Sequence, residues 1–307
     1  MGVGVRQGYM TGNQPKGSEK EDFLEQRKKL SFKAAEGLVP LPAQLALGEI
    51  TQEFRAVVWA HFHTVLEAQR RFDGHAFCLA GPWLVILRDA HVYHHHRPID
   101  EFSTRHADAL ASVKGLILSG KWSDVLGWLE FVLKHPSCPD GFAKEVNSTM
   151  EYCHLAYGVF DAKVICPIGS TGERQSLERA FADLAATEFH GARAHLRKAA
   201  EELTAGHYSY SVRESVHAVE AIARVLEPSA ALSSALGRLE KSAKVHPALK
   251  SGFNNIYGYT SDEKGIRHPL LDDGTAKVDQ TDALFMIGAC AAFVSYLINK
   301  GHAAGLL

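Results

Sequence analysis

Two adjacent residues in the last part of the chain, Arg267 and His268, carry side chains suited to phosphodiester chemistry. Arginine is a permanently charged planar donor, and histidine is the one side chain whose ordinary pKa lies near neutrality. RNA cleavage without a metal needs a base for the 2′-hydroxyl, a cation for the phosphorane oxygens and an acid for the leaving oxygen. The dipeptide is therefore a candidate reactive centre. Its structural alternative is an arginine that caps a helix C-terminus beside an incidental histidine.

The segment 208–227 supplies a second set of polar residues at helical spacing. Its apolar residues recur on one face, which predicts a buried side, and polar residues recur at the same spacing as a stripe. Glu214 lies just off this stripe and could orient a catalytic Arg or His in a cleft. The alternative is a solvated face braced by ion pairs, and in either case Glu220 could pair with Arg213 or Arg224. The predicted apolar face is Val212, Val216, Val219, Ala223 and Leu226, and the polar stripe is Arg213, His217, Glu220 and Arg224.

No metal or cofactor is predicted from the sequence. His91 and His95 share a helical face, but no suitably placed carboxylate or cysteine completes a zinc site, so a surface histidine patch is favoured. The chain also has no Gly-rich phosphate loop, no HExxH and no GxSxG pattern. These absences disfavour the corresponding enzyme classes.

Hydrophobic periodicity and helix-capping signals predict an all-α protein of two helical domains joined by a small β-hairpin at 157–168. We expect a flexible N-terminus over 1–17, a first domain over 18–168 and a second, helical bundle over 169–307. Capping boxes are predicted at Ser18 and Ser170, and Thr51 is predicted to cap a long amphipathic helix. The other predicted helices are about 82–95, 104–118, 121–134, 140–156, 173–186, 189–205, 208–227, 230–244, 247–257 and 280–299. A long loop from Gly258 to Asp279 separates the last two, and such loops are usually functional.

Composition limits the classes of partner. The 307 residues carry 33 Lys and Arg against 35 Asp and Glu, a net charge of −2, so no broad basic surface is expected to bind nucleic acid non-specifically. The longest apolar stretch, Ala283–Ile298, is shorter than the roughly 20 residues that span a bilayer. Five scattered cysteines without a CxxC pair fit a reducing compartment. We therefore expect a cytoplasmic protein without a membrane segment.

Several strings give the chain a family resemblance. RESVHAVEAIARVL (213–226), HPALKSGFNNIYGYTSDEKGIRHPLLDD (246–273) and ALFMIGACAAFVSYLI (283–298) resemble the second helix, the GIRH loop and the last helix of HEPN domains of the AbiJ abortive-infection type. The first half resembles the N-terminal domain of the same proteins through AAEGLVPLPAQLALGEITQEFRAVVWAHF (34–62), PIDEF (98–102) and WSDVLGWLEFVL (122–133). The resemblance covers nearly the whole chain after about residue 28.

The resemblance implies an antiphage defence protein that cleaves RNA without a metal through a C-terminal HEPN bundle, usually a homodimer. Its N-terminal domain would sense or regulate, with a phage-derived trigger as a further partner. The expected catalytic set is Arg267 on the phosphorane, His268 as base or acid, and Glu214 orienting one of them. The expected RNA contacts are Arg213, His217, Tyr257 and Lys264.

Dimerisation would also concentrate charge. Residues 187–307 hold 13 Lys and Arg and 13 Asp and Glu, so two converging Arg267 side chains are needed to give this neutral domain a positive site for phosphate.

Two alternatives remain open at the level of sequence. HEPN ribonucleases usually carry an Arg followed four to six residues later by His, whereas here His268 follows Arg267 directly and Asp272 stands at the later position. This departure favours a non-catalytic module that binds RNA, a nucleotide or a phage protein, with Arg267 as a phosphate clamp. In the second alternative, Arg267 is structural and pairs with Asp262 or Glu263 in its own loop.

Overall fold

The computed structural model describes residues 32–38, 43–228, 232–242, 244–262 and 277–307. Of these, 69% are helical and 6% are in strands, which form two small antiparallel sheets. The mostly helical class predicted from the sequence is therefore confirmed. The predicted flexible segment 1–17 lies outside the described residues. The predicted helix after Ser18 lies largely outside them too, and from this part of the chain only the short helix α1 (Phe32–Ala35) is described.

The chain divides into two compact units, Met1–Ala43 and Gln44–Leu307. Within the second unit, the first set of helices and strands runs from α2 to α6. Their bounds are α2 (Gln52–Ala68), β1 (Arg70–Phe72), β2 (Phe77–Leu79), α3 (Gly81–Asp89), a π-helical turn (Ala90–His94), a 3-10 turn (Ile99–Glu101), α4 (His106–Ser119), α5 (Trp122–Lys134) and α6 (Phe142–Tyr152). Thr51 caps α2 as predicted, accepting a hydrogen bond from Phe54 N at 3.1 Å.

The remaining elements follow a hairpin. Their bounds are β3 (Tyr157–Phe160), β4 (Val164–Pro167), α7 (Thr171–Ala185), α8 (His190–Thr204), α9 (Tyr208–Leu226), α10 (Leu232–Ser242), α11 (Pro247–Asp262) and α12 (Gln280–Ala303). The predicted hairpin at 157–168 is confirmed. Ser170 caps α7 by accepting from Glu173 N, but the Glu173 carboxylate accepts from Gly169 N at 2.7 Å, one residue before the position that a capping box uses.

A second hairpin, β1–β2, was not predicted. Arg71 pairs with Cys78 at its centre, and the Asp73 carboxylate closes the turn by accepting from the backbone of His75 and Ala76, both at 2.9 Å. The Arg70 guanidinium lies 4.4 Å from the centre of the Phe77 ring. The sequence did carry a signal here, because Asp73-Gly74 is a typical hairpin dipeptide.

The predicted end of α11 at residue 257 was wrong, because the helix continues through Gly258 to Asp262. The Thr260 hydroxyl is fully buried and donates to the carbonyl of Tyr257 at 2.7 Å. Because the helix continues past the glycine, the connection between α11 and α12 is shorter than the sequence predicts.

The last helix, α12, is long and apolar enough to cross a bilayer by length and composition, but most of its apolar window is buried inside the protein. Packing in a helical core accounts for this composition. Asp279 caps the helix and, with Asp282, forms a capping box.

Buried apolar side chains form two cores. One lies among α2 to α6, where Phe62 packs edge-on against Trp83 with ring centres 5.2 Å apart. The other lies among α7 to α12, centred on the buried faces of α9 and α12. All five residues of the predicted apolar face of α9 belong to this second core.

The β3–β4 hairpin lies between the two cores and contributes one face to each. Tyr157, Val159 and Ile165 belong to the first core, whereas Phe160, Val164, Cys166 and Ile168 belong to the second. This alternation is the period of two that a strand imposes on its side chains. All eight strand residues are consequently buried.

Because the sheet has only two strands, both of its edges must find hydrogen-bond partners among the helices. On the β3 edge, the Tyr157 carbonyl accepts a hydrogen bond from the Arg174 side chain at 2.9 Å. On the same edge, Val159 N donates to the side-chain oxygen Oδ1 of Asn147 at 2.8 Å. On the β4 edge, the Ile165 carbonyl accepts from the Thr204 hydroxyl at 2.9 Å. Side chains of α6, α7 and α8 thus replace the missing strands.

The turn of this hairpin is anchored to α8 by a buried carboxylate. The Asp161 side chain is 1% exposed and is held by two guanidinium groups. Arg193 Nε donates to Oδ1 at 2.7 Å, and Arg193 Nη2 contacts that oxygen as well. Arg197 Nε donates to Oδ2 at 2.6 Å, and Arg197 Nη2 also contacts Oδ2. Charge-assisted bonds of this kind are among the stronger polar contacts in proteins. Since the two arginines are one turn apart, they fix both the position and the rotation of α8.

We expect Asp161→Asn to lower the free energy of unfolding by about 2–4 kcal/mol, because it leaves two arginines facing a neutral amide. Urea denaturation measures this change. Asp183→Asn is the matched control, since the half-buried Asp183 carboxylate has only long contacts, 3.9 Å to Arg179 and 3.5 Å to Asn299, and its effect should stay within about 0.5 kcal/mol. Equal effects of the two substitutions would contradict the anchoring role of Asp161.

We expect Ala162→Gly to stabilise the protein by about 0.5–1 kcal/mol, because exposed Ala162 sits at φ 57°, a conformation that glycine adopts without steric cost. The same substitution at exposed Ala205, where φ is −74°, should instead destabilise by about 0.5–1 kcal/mol. Thermal and urea unfolding of the two variants would reveal the opposite signs. A loss of stability in Ala162→Gly would show that the turn carries no backbone strain.

Candidate functional site

Four polar side chains meet where α8 and α9 pack together: His195 from α8, and Arg213, Glu214 and His217 from α9. We call them the α8–α9 cluster. On α9 they follow from the amphipathic pattern, because the buried face takes Val212 and Val216 and leaves these polar residues at its rim. On α8, His195 lies midway between the two arginines that hold Asp161 and points away from the hairpin side, as a helical repeat requires.

Glu214 is the centre of the cluster. Its Oε2 lies 2.8 Å from His195 Nδ1, and its Oε1 lies 3.4 Å from Arg213 Nε and 3.7 Å from His217 Nδ1. The two imidazole rings stand nearly edge to face, with centres 5.2 Å apart. A single carboxylate therefore organises two imidazoles and a guanidinium.

The cluster is partly exposed, so solvent and solutes can reach it. The exposed fraction of the side chain is 41% for His195, 31% for His217 and 13% for Glu214. The Arg213 guanidinium stacks on the exposed ring of Tyr210, 4.6 Å from its centre. A cation over an aromatic face can still pair with an anion at its edge.

Burial and neighbouring charges set the ionisation of two members. Burial opposes the charged form of Glu214, but the hydrogen bond from His195 and the charges of His217, His195 and Arg213 outweigh it, so its pKa is lowered. Burial lowers the pKa of His217, and the Glu214 and Glu220 carboxylates offset this only in part. The cluster thus holds an ionised carboxylate beside an imidazole that favours its neutral form.

Tyr257, a predicted RNA contact, meets α9 at Glu220, one turn beyond His217. Its hydroxyl donates to Glu220 Oε1 at 2.8 Å, and Glu220 is 8% exposed. The expected pairing of Glu220 with Arg213 or Arg224 stays a prediction. Of the predicted site residues, the structure brings Arg213, Glu214 and His217 together. Tyr257 does not join them and is bonded instead to Glu220, one helical turn beyond His217 on α9.

The predicted residues Lys264, Arg267 and His268 lie outside the described residues, between the end of α11 at Asp262 and the start of α12 at Gln280. Their catalytic and RNA-binding roles stay predictions. The alternative pairing of Arg267 with Asp262 or Glu263 also falls on this segment.

His195 is the member of the cluster that sequence reasoning missed. It is one of 17 histidines and lies 19 residues from Glu214, so only the packing of α8 on α9 identifies it. A weaker signal was available in α9 itself, because Glu214 and His217 are spaced i, i+3 and so share a helix face.

The histidine patch of the first half lies beside a cavity of about 210 Å³. His91 and His95 both line it, and His91 Nε2 lies 2.9 Å from the carbonyl of Pro98. The nearby Asp89 carboxylate lies 3.2 Å from His135 and 3.1 Å from Arg88. Arg97, Glu101 and Asp108 add one positive and two negative charges to the cavity wall, a mixture that favours no single ligand class.

The chain was compared with protein-family models, with curated proteins and with solved structures, and none of the three comparisons found a match.

Proposed function

We propose that this protein is an antiphage abortive-infection ribonuclease of the HEPN type, whose C-terminal helices cleave RNA without a metal. The observation that supports it most is the α8–α9 cluster, which gathers a carboxylate, a guanidinium and two imidazoles at a partly exposed position. Three of its members come from the string RESVH, which also carries the HEPN resemblance. Such groups are those that transesterification of an RNA phosphate uses.

In the proposed reaction, the 2′-hydroxyl attacks the adjacent phosphorus, the bond to the 5′-oxygen breaks, and a 2′,3′-cyclic phosphate is left. His268 takes the hydroxyl proton or supplies one to the leaving oxygen, and Arg267 neutralises the phosphorane. Glu214 is a positioning residue, as its place at the centre of the cluster suits. Arg213 and His217 at the cluster, with Tyr257 and Lys264, contact the RNA.

A homodimer through the C-terminal helices would bring two copies of Arg267 to one strand and so compensate for the neutral charge of this half of the chain. The first half of the chain, with its separate core, would sense a phage-derived trigger in the cytoplasm. In this arrangement the predicted domain boundary at residues 168 and 169 falls just after the hairpin that both cores share.

The second candidate function is a non-catalytic module that binds RNA, a nucleotide or a phage protein. The observation that favours it is the spacing of Arg267 and His268, which departs from the Arg and His pattern of active HEPN domains. Arg267 would then clamp a phosphate, and its loss would weaken binding without removing any turnover.

The test is cleavage of a labelled single-stranded RNA by the purified full chain in EDTA. We expect the wild type to cut, and Arg267→Ala to slow cutting by at least about 100-fold, as loss of a transition-state cation does. Arg179→Ala removes an exposed arginine of α7 and should cut at the wild-type rate.

Absence of any RNA cleavage by the wild type in EDTA, or equal rates for Arg267→Ala and wild type, would contradict the enzyme. Fluorescence anisotropy with the same RNA then tests the second candidate function, the non-catalytic binding module. That function requires RNA binding that is weaker in Arg267→Ala than in the wild type, while neither protein forms a cleavage product.

A further inference from the structure

His195, Glu214 and His217 each offer one ligand atom, and these three atoms all lie within 4.8 Å of one another. In the part of the chain that the structure describes, they are the one set of three or more His, Cys, Asp or Glu residues close enough to share an ion. The set has the composition of sites that hold first-row transition metals, namely two imidazoles and one carboxylate.

The positions of the three residues on their helices also suit a metal site. Glu214 and His217 form an i, i+3 pair on α9, and a Glu-x-x-His pair of this spacing is a recurring way in which helical bundles hold metals. The third ligand comes from the neighbouring helix, so the ion would be held between α8 and α9. Both helices are fixed, α8 by its two arginines on Asp161 and α9 by its buried face.

The distances need only small side-chain movements. Ligand atoms of a tetrahedral zinc site lie about 3.3 Å apart. Glu214 Oε2 is 2.8 Å from His195 Nδ1 and Glu214 Oε1 is 3.7 Å from His217 Nδ1, while all three ligand atoms lie within 4.8 Å of one another. Rotation of the partly exposed side chains by about 1–2 Å at the ligand atoms would bring them to the spacing of a metal site.

We propose that His195, Glu214 and His217 form a binding site for a divalent transition metal of the zinc class, with a fourth position open to water. This goes beyond the proposed ribonuclease, which uses no metal. An ion at this site would occupy the Glu214 carboxylate, so it would act against the positioning role of that residue rather than assist cleavage.

The surrounding charges are compatible with a cation. Arg213 is the nearest positive group, but it is one-third exposed and stacks on exposed Tyr210, which lets it leave the Glu214 oxygen while keeping the aromatic contact. Lys198 is engaged by Glu202 at 2.9 Å. Buried Glu220 adds negative charge near His217.

The probe is Co²⁺, whose visible ligand-field absorption reports its ligands, titrated into the EDTA-stripped full chain with Zn²⁺ as competitor. We expect one equivalent of Co²⁺ to bind and to be displaced by Zn²⁺. His195→Ala, His217→Ala and Glu214→Gln should each weaken binding by more than about 100-fold, the upper end of what loss of an outer partner of a metal ligand costs.

His207→Ala is the matched control. His207 Nδ1 lies 2.8 Å from Glu202 Oε2, the same distance as in the His195–Glu214 pair, but no second histidine joins it among the described residues. We expect this variant to bind Co²⁺ as the wild type does. Helicity by circular dichroism confirms that each variant is folded.

The proposal fails if the wild type shows no stoichiometric Co²⁺ band. It also fails if the band survives in His217→Ala and disappears in His91→Ala. Should the three ligand variants unfold, ¹⁵N shifts of the wild-type imidazoles decide: Zn²⁺ must move the signals of two histidines together, and movement of scattered histidines would overturn the site.

Discussion

The whole unit from Gln44 to Leu307 depends on one physical constraint: a two-stranded hairpin, β3–β4, is buried on both faces and along both edges. Unsatisfied backbone groups in such a place would each cost about 1–3 kcal/mol. Arg174, Asn147 and Thr204 remove that cost by bonding the strand edges. Burial lowers the pKa of Arg174, and its guanidinium meets three acceptors here, the side-chain oxygen of Asn147 and the carbonyls of Leu155 and Tyr157.

This constraint reaches the α8–α9 cluster through a single helix. α8 holds the hairpin turn with Arg193 and Arg197 on one side and presents His195 to Glu214 on the other. Because the two sets of contacts belong to one rigid element, the rotation that satisfies Asp161 also sets where His195 lies. The contacts of the hairpin and those of the α8–α9 cluster are thus coupled by geometry.

Much of this fold follows from local patterns in the sequence. The hairpin at 157–168, the cap at Thr51 and the apolar face of α9 could be predicted because period, cap and turn residues agree at each place. Other features depend on contacts that no local pattern contains. α11 passes Gly258 because buried Thr260 and the bond between Tyr257 and Glu220 hold it, and His195 meets Glu214 only after two helices pack. The β1–β2 hairpin had a local signal in Asp73-Gly74, but its two strands are only three residues long, too short to show the alternation that identifies a strand.

The central claim is that the hairpin sets α8 so that His195 Nδ1 meets the Glu214 carboxylate. Nitrogen-detected NMR of histidine-labelled protein tests it most directly, because it reads which imidazole nitrogen carries the proton and whether that proton is hydrogen-bonded. The account predicts a bonded proton on His195 Nδ1 that is lost in Glu214→Gln or moves when Asp161 is replaced. A His195 Nδ1 proton that exchanges freely with solvent, unaffected by either substitution, would contradict it.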